Sequence, residues 1–206
     1  MNRFDQLSKE WDNHPRRTKQ AENIFNAIEQ KVDLTGSMHV LDIGTGTGLL
    51  LIHFVDKVKT ITGIDNSQGM LDMLKSKVDN AGIQNADFML FNANIDHLPE
   101  KNYDLAVSSL TFHHLSDPLK VMQETYKSLK PGGRICIGDL EAEDGSFHDD
   151  NALHDVKFFG FDKQVFKDWM ISAGFQNTAV ETVFNIEKNG KKYPVFLGYG
   201  EKIFSL

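Results

Sequence analysis

The chain has 206 residues, 40% hydrophobic and 25% charged, which suits one globular domain with a full core. Its formal net charge of −7 argues against a protein that tracks nucleic-acid phosphates. There is no apolar run of bilayer length and no signal-peptide core after Met1, and the single cysteine, Cys136, rules out an internal disulfide; the expectation is a cytoplasmic protein with no membrane or nucleic-acid partner.

Residues 1–35 carry Phe4, Leu7 and Trp11, then Ile24, Phe25, Ile28 and Val32, at helical spacing. Two helical pieces are predicted, interrupted near Asn13-His14-Pro15 because the residue before proline avoids helical geometry. A strand and helix follow over about 38–57, joined by the glycine-rich stretch Gly44-Thr45-Gly46-Thr47-Gly48, and a second strand over about 60–65 ends in Asp65. Ser67 is placed to cap a helix carrying Leu71, Leu74 and Val78. The third strand, Asp87 to Phe91, runs into the polar loop Asn92-Ala93-Asn94-Ile95-Asp96. The fourth begins at Tyr103 and passes through Ser108, Ser109 and Leu110 to Phe112-His113-His114.

Asp117-Pro118 opens a helix that stops at Lys130-Pro131-Gly132-Gly133, and a fifth strand covers Arg134 to Asp139, with Cys136 buried and inert. From Asp139 to Asp155 there are seven acids, two histidines (His148 and His154) and no Lys or Arg. That segment has three readings: a wall for a cationic or amine acceptor, a divalent-metal site using His148, His154 and nearby acids, or a solvated acidic loop. The solvated loop is the simplest, and no metal ligand is assigned. An amphipathic helix from Phe161 to Gly174 then leads into a hairpin of two strands turning at Asn189-Gly190.

The glycine stretch determines the ligand class. A dinucleotide fingerprint, G-x-G-x-x-G, needs its third glycine at position 49, which is Leu49. The chain instead has Asp42 two residues before G-x-G-x-G, and Asp65 about 20 residues on, where an acid accepts hydrogen bonds from ribose hydroxyls. Together these motifs resemble the class I S-adenosylmethionine (SAM)-dependent methyltransferases, in the small-molecule branch. Leu129-Lys130-Pro131-Gly132-Gly133-Arg134 leading into a strand and the aromatic-histidine pair after the fourth strand strengthen the resemblance, which covers about residues 36–206.

The resemblance implies an α/β fold: a doubly wound, mostly parallel seven-stranded sheet, Rossmann-like, with a C-terminal antiparallel hairpin. Residues 1–35 would be a helical cap on a single domain spanning 1–206. It implies SAM as cofactor, bound by Asp42, Gly44, Thr45, Gly46, Gly48, Asp65, Asn66, Met70, Asn92, Ala93 and Ser108. Asn92 stands where the family usually has an acid for the adenine amino group, with Asp96 a rival. His113 and His114 are the candidate proton acceptors. Trp11, His14, Arg16 and His148 are candidates for the acceptor pocket, and Arg16 or Arg17 for the methionine carboxylate.

The family's polar-Pro-Pro-aromatic tetrapeptide for amino methylation is absent, and Ser108 stands where metal-dependent catechol-type relatives place an acid. The expected activity is methyl transfer to an unidentified small molecule, by a monomer or homodimer. The alternatives are a SAM-binding regulatory or partner subunit without catalysis and, more remotely, a nicotinamide enzyme.

Overall fold

A computed structural model describes residues 3–98, 102–148 and 155–203. Seven strands form one sheet: β1 (His39–Ile43), β2 (Thr60–Asp65), β3 (Ala86–Leu90), β4 (Tyr103–Ser109), β5 (Leu129–Leu140), β6 (Gln176–Lys188) and β7 (Lys191–Glu201). Their spatial order is β3-β2-β1-β4-β5-β7-β6. The pairs from β3 to β5 are parallel, while β7 runs antiparallel to both β5 and β6. The expected sheet and its terminal hairpin are both present. Asn189 and Gly190, at φ 52° and 75°, make the hairpin turn, where left-handed backbone matches the twist of the two strands.

The central strands are buried on both faces, which is why they read as unbroken apolar runs rather than alternating ones. Val40, Leu41 and Ile43 of β1, Leu105, Ala106 and Val107 of β4, and Ile135, Cys136 and Ile137 of β5 are all buried. The helices α1 (Arg3–Trp11), α2 (Pro15–Glu29), α3 (Gln68–Ala81), α4 (Pro118–Ser128) and α5 (Lys163–Ser172) flank the sheet. Ser67, Asp117 and Asp162 each accept a backbone N–H of the first turn of α3, α4 and α5 respectively, satisfying donors that helix starts leave bare.

Three local expectations are corrected. No α-helix follows the glycine loop; a single 3₁₀ turn, Leu51–His53, lies within a coil of mixed three- and four-residue backbone bonds. Glycines at 44, 46 and 48 all take positive φ, so the segment lacks the pre-ordered turn that helix nucleation needs. The turn expected at 130–133 is absorbed into β5, where Gly132 donates to the Lys202 carbonyl and Lys202 to that of Gly133. Finally, α2 is more than a cap: its first turns lend Arg16, Arg17, Gln20 and Ala21 to a crevice at the strand ends, while the rest of it is core. Ile24, Phe25 and Ile28 are core residues, and a Cβ on Gly138 would sit 2.7 Å from Ile24, so helix and sheet meet at van der Waals distance there.

The other face of the sheet is filled by aromatic rings, with Phe166 packed on Phe196 at 4.7 Å between centroids and both side chains fully buried. Phe166→Ala is expected to lower the free energy of unfolding by roughly 3–5 kcal/mol, the usual range for a buried Phe, in urea denaturation. A loss below about 1 kcal/mol would show that this face repacks without it.

Candidate active site

In an open parallel sheet, ligands bind beyond the C-terminal ends of the strands where the strand order reverses. Here the reversal lies between β1 and β4. A crevice of about 270 Å³ opens at that point, lined by the glycine loop, the ends of β2 and β4, and α1.

The loop is anchored by β2. The backbone N–H groups of Gly44 and Thr45 both donate to the Ile64 carbonyl, at 2.8 and 3.0 Å. Asp65 then holds both sides of the crevice floor: one carboxylate oxygen accepts from Gly46 N at 2.8 Å, the other from Ser67 N at 2.9 Å. Glycine is needed at 44 for a second reason besides its φ of 70°, since a Cβ there would lie 2.2 Å from Thr111 Cγ2. Thr111 follows Leu110, a non-glycine residue at φ 51°, and this strained bend turns the chain after β4 back across the crevice.

Asp42 is 1% exposed. One of its oxygens accepts from Thr45 Oγ1 at 2.7 Å, while Oδ1 is buried with no protein partner. Burial pushes this carboxyl up to about 7, against the smaller effect of the Thr45 hydrogen bond. Asp65 is also raised, by burial first and in spite of its backbone donors. A buried acceptor without a donor, beside a nucleoside-sized space, is what a ligand carrying hydroxyl or ammonium donors would complete. Met70 and Phe91, both buried, supply apolar wall. The residues present therefore fit SAM.

Helix α1 closes the crevice from above. Asp5 accepts from Ser67 Oγ at 2.6 Å and Gly69 N at 2.9 Å, and Asp12 from Thr47 Oγ1 at 2.5 Å and Lys77 at 2.8 Å. Phe4 and Trp11 pack edge to face at 5.8 Å, with Phe4 also 5.3 Å from the His114 ring. The Arg17 guanidinium lies 3.6 Å above Trp11 and donates to its carbonyl.

On the side opposite the glycine loop, His113 is buried and its Nδ1 is 2.6 Å from Asp139 at the end of β5. Its Nε2 is buried with no partner. His114 Nδ1 lies 2.8 Å from the Asp155 carbonyl, and His148 completes a cluster whose rings are 4.1–5.6 Å apart by centroid. Burial holds His114 well below the ordinary imidazole value and brings His148 down to about 4.

Of the residues singled out from sequence, Asp42, Gly44, Thr45, Gly46, Asp65, Asn66, Met70, Asn92, Ala93, His113, His114, His148, Trp11 and Arg16 line this one crevice. Three do not. His14 sits at the residue before α2, at the exposed surface, and its side chain makes no capping hydrogen bond. Ser108 is turned inward, its Oγ donating to the Ile43 carbonyl at 2.7 Å, and its neighbour Ser109 takes the lining position. Gly48 faces Leu74. The side-chain oxygen of Asn92 is used within its own loop, accepting from Asn94 N, while Asp96 accepts from Asn92 N and lies outside the crevice.

Among the described acids of the 139–155 segment, Glu141 pairs with Lys163, Asp144 with Lys191, Asp155 with Arg3 and Asp139 with His113, and Glu143 accepts from Phe147 N; Asp149 and Asp150 lie outside the described residues. His154 lies outside the described residues. Sequence reasoning did not find Asp5, Asp12, Thr111 or Asp139. An acid of α1 carries no mark of its distant partner, and only Asp139, at a strand end, had a position that suggests a site.

Residues 41–137 match the methyltransferase domain family. An uncharacterised methyltransferase of Schizosaccharomyces pombe is 32% identical over 118 residues, covering 54% of this chain and 42% of that protein. A ubiquinone biosynthesis O-methyltransferase of Coxiella burnetii is 26% identical, covering 67% of this chain and 60% of its own length. The chain thus spans about half the length of the curated relatives it matches. A SAM-dependent methyltransferase from Aquifex aeolicus superposes with a TM-score of 0.75 at 23% identity, over 97% of this chain and 98% of that one. Among the described residues, no helix is long and apolar enough to cross a membrane.

Two outcomes follow from this geometry. Asp65→Ala should weaken SAM binding by about tenfold or more in calorimetry, because charged acceptors of this kind contribute ~1.5–3 kcal/mol; an unchanged Kd would remove Asp65 from the binding site. Asp42 binds its proton more tightly folded than unfolded, so its contribution to stability is full below the ordinary value of 3.8 and is lost as pH rises through about 7. In the ligand-free protein, Asp42→Asn should therefore flatten the fall in Tm between about pH 5 and pH 8 relative to wild type. The difference between the two profiles isolates Asp42, since Asp65 and the histidines are common to both. Parallel profiles would contradict the raised value.

Proposed function

We propose that this chain, whose residues 41–137 match the methyltransferase domain family and whose fold is that of the class I enzymes, transfers the SAM methyl group to a small-molecule acceptor by in-line displacement. The observation that carries this reading is the continuity of one crevice, from the Asp42–glycine loop–Asp65 floor to the His113–His114–His148 wall beneath α1. SAM supplies a methyl already activated by the positive sulfonium.

The chain's own residues have three tasks. Asp65 and Asp42 hold the donor's hydroxyl and ammonium groups, and Met70 and Phe91 enclose its apolar face. Helix α1, tied down through Asp5 and Asp12, keeps bulk water from the reacting end, and alignment of two reactants in such a space lowers the barrier by several kcal/mol. His113 and His114 lie where the acceptor's proton leaves, with Asp139 fixing the orientation of the His113 ring.

A roofed, partly apolar crevice with Trp11 and His113 in its walls supports a small acceptor rather than a macromolecule, which needs an open basic surface. The Coxiella burnetii relative is named for O-methylation, so hydroxyl compounds are the first class to assay. The reading further takes residues 1–206 as one domain acting in the cytoplasm.

The test is turnover of SAM to S-adenosylhomocysteine (SAH) against a panel of small hydroxyl, amine and thiol acceptors. His113→Asn should lower kcat by about 100-fold or more while leaving the SAH Kd unchanged. An unaltered kcat would take His113 out of the reaction. Absence of turnover with the whole panel, together with intact SAH binding, would favour a non-catalytic SAM-binding subunit.

A further inference from the structure

We propose that His113, His114 and His148 form a binding site for one divalent transition-metal cation of the zinc type at the acceptor end of the crevice. One ring nitrogen from each histidine lies within 4.8 Å of the other two. Four-coordinate zinc at about 2.0–2.1 Å needs its nitrogens roughly 3.4 Å apart, so the three rings must close by about an ångström. His148 lies in a loop after β5 rather than in a strand or helix, and its ring packs on His113, His114 and Phe147.

The second observation is where the hydrogen bonds are and are not made. Asp139 occupies Nδ1 of His113, and the Asp155 carbonyl occupies Nδ1 of His114. A carboxylate or carbonyl behind the ring fixes the tautomer and leaves Nε2 as a bare lone pair, the arrangement found behind metal-ligating histidines. Nε2 of His113, on a residue 1% exposed, and Nδ1 of His148 are both buried without a protein partner. Two buried nitrogens left without a donor in one cluster are costly, and a single cation bound by the cluster would satisfy both.

The donor set selects the metal. Among the described residues the donor set is three imidazoles with no oxygen ligand, which suits zinc, copper, nickel or iron rather than magnesium or calcium. Three protein ligands also leave an open position, the pattern of a catalytic rather than a structural site. Arg3 and Lys188 line the same crevice and oppose a cation, but Arg3 faces Asp155 at 3.6 Å and Lys188 donates to the Phe147 carbonyl at 2.6 Å, while Asp139 adds a negative charge directly behind His113.

The role in the reaction rests on the methyl-transfer reading. A histidine nitrogen bound to the cation cannot also take a proton, so in the metal-loaded chain the proton-acceptor role of His113 and His114 passes to a water in the crevice, to which an acceptor hydroxyl on the open position gives up its proton more readily. Its oxygen pair then forms the bond to the methyl carbon as the carbon–sulfur bond breaks, leaving the electron pair on a neutral sulfur.

The experiment titrates the untagged, chelator-treated chain of 206 residues with Co²⁺ alone and follows visible absorption, with SAH calorimetry on the same samples. The expected result is a saturable band at one equivalent per chain, abolished by Zn²⁺ and untouched by Mg²⁺. Its apparent Kd should rise at least about tenfold in His148→Ala and in Asp139→Asn, with SAH binding retained. No stoichiometric band, competition by Mg²⁺ equal to that by Zn²⁺, or a Co²⁺ affinity unaffected by His148→Ala would overturn the site. No band in the unaltered chain titrated with Co²⁺ alone, with SAH binding intact, defeats the metal proposal alone, whereas failure to bind SAH defeats the reading of the cofactor crevice.

Discussion

The structure of the crevice depends on Asp65. Its two carboxylate oxygens reach the backbone of two different segments, Gly46 in the glycine loop and Ser67 at the start of α3. That single side chain therefore sets the distance between the loop above β1 and the turn after β2. The loop cannot drift away because Gly44 and Thr45 are bonded to Ile64, the residue before Asp65. Charge-assisted bonds of this kind are stronger than neutral ones, and the burial that raises the carboxyl's affinity for a proton also raises the value of every donor offered to its anion. A ribose presenting two hydroxyls supplies such donors.

The roof depends on the same neighbourhood. Ser67 donates its hydroxyl to Asp5, while the Ser67 oxygen accepts from Met70 N at the start of α3. Asp5 also takes Gly69 N, and a Cβ on Gly69 would lie 2.9 Å from the Asp5 backbone, so α1 rests against α3 where that helix has no side chain. The cap, the cofactor floor and the helix start are thus one hydrogen-bonded unit. Asp12, tied to Thr47 and Lys77, fixes the other end of α1 to the glycine loop.

Sequence made the floor legible and left the roof obscure. Strand ends, glycine spacing and the acid at 65 are local patterns dictated by backbone sterics, and the central strands declared themselves as apolar runs because both their faces are covered. Ser67, Asp117 and Asp162 were equally readable as helix starts. Failures came where a partner lies far along the chain. Ser108 reads as a site residue from its strand position, yet alternation turns its hydroxyl back to Ile43 and hands the crevice to Ser109. The α2 segment reads as a cap, yet only its first turns border the crevice and the rest fills the space beside Gly138. The acidic run after β5 reads as a unit, although its acids disperse to Lys163, Lys191 and His113 when folded.

The histidine wall shows the same limit from the other side. His113 and His114 come from the bend after β4, His148 from the loop after β5, and the carboxylate behind His113 from the end of β5 itself. Nothing in their spacing announces a cluster; the parallel order of β4 and β5 creates it. A crystal structure of the chain with SAH is the most direct measurement of the account's central claim. It should show the ribose hydroxyls on Asp65, the amino-acid tail along the glycine loop, and the sulfur turned toward His113. An empty crevice with SAH elsewhere, or a ligand pyrophosphate on the glycine loop, would contradict it.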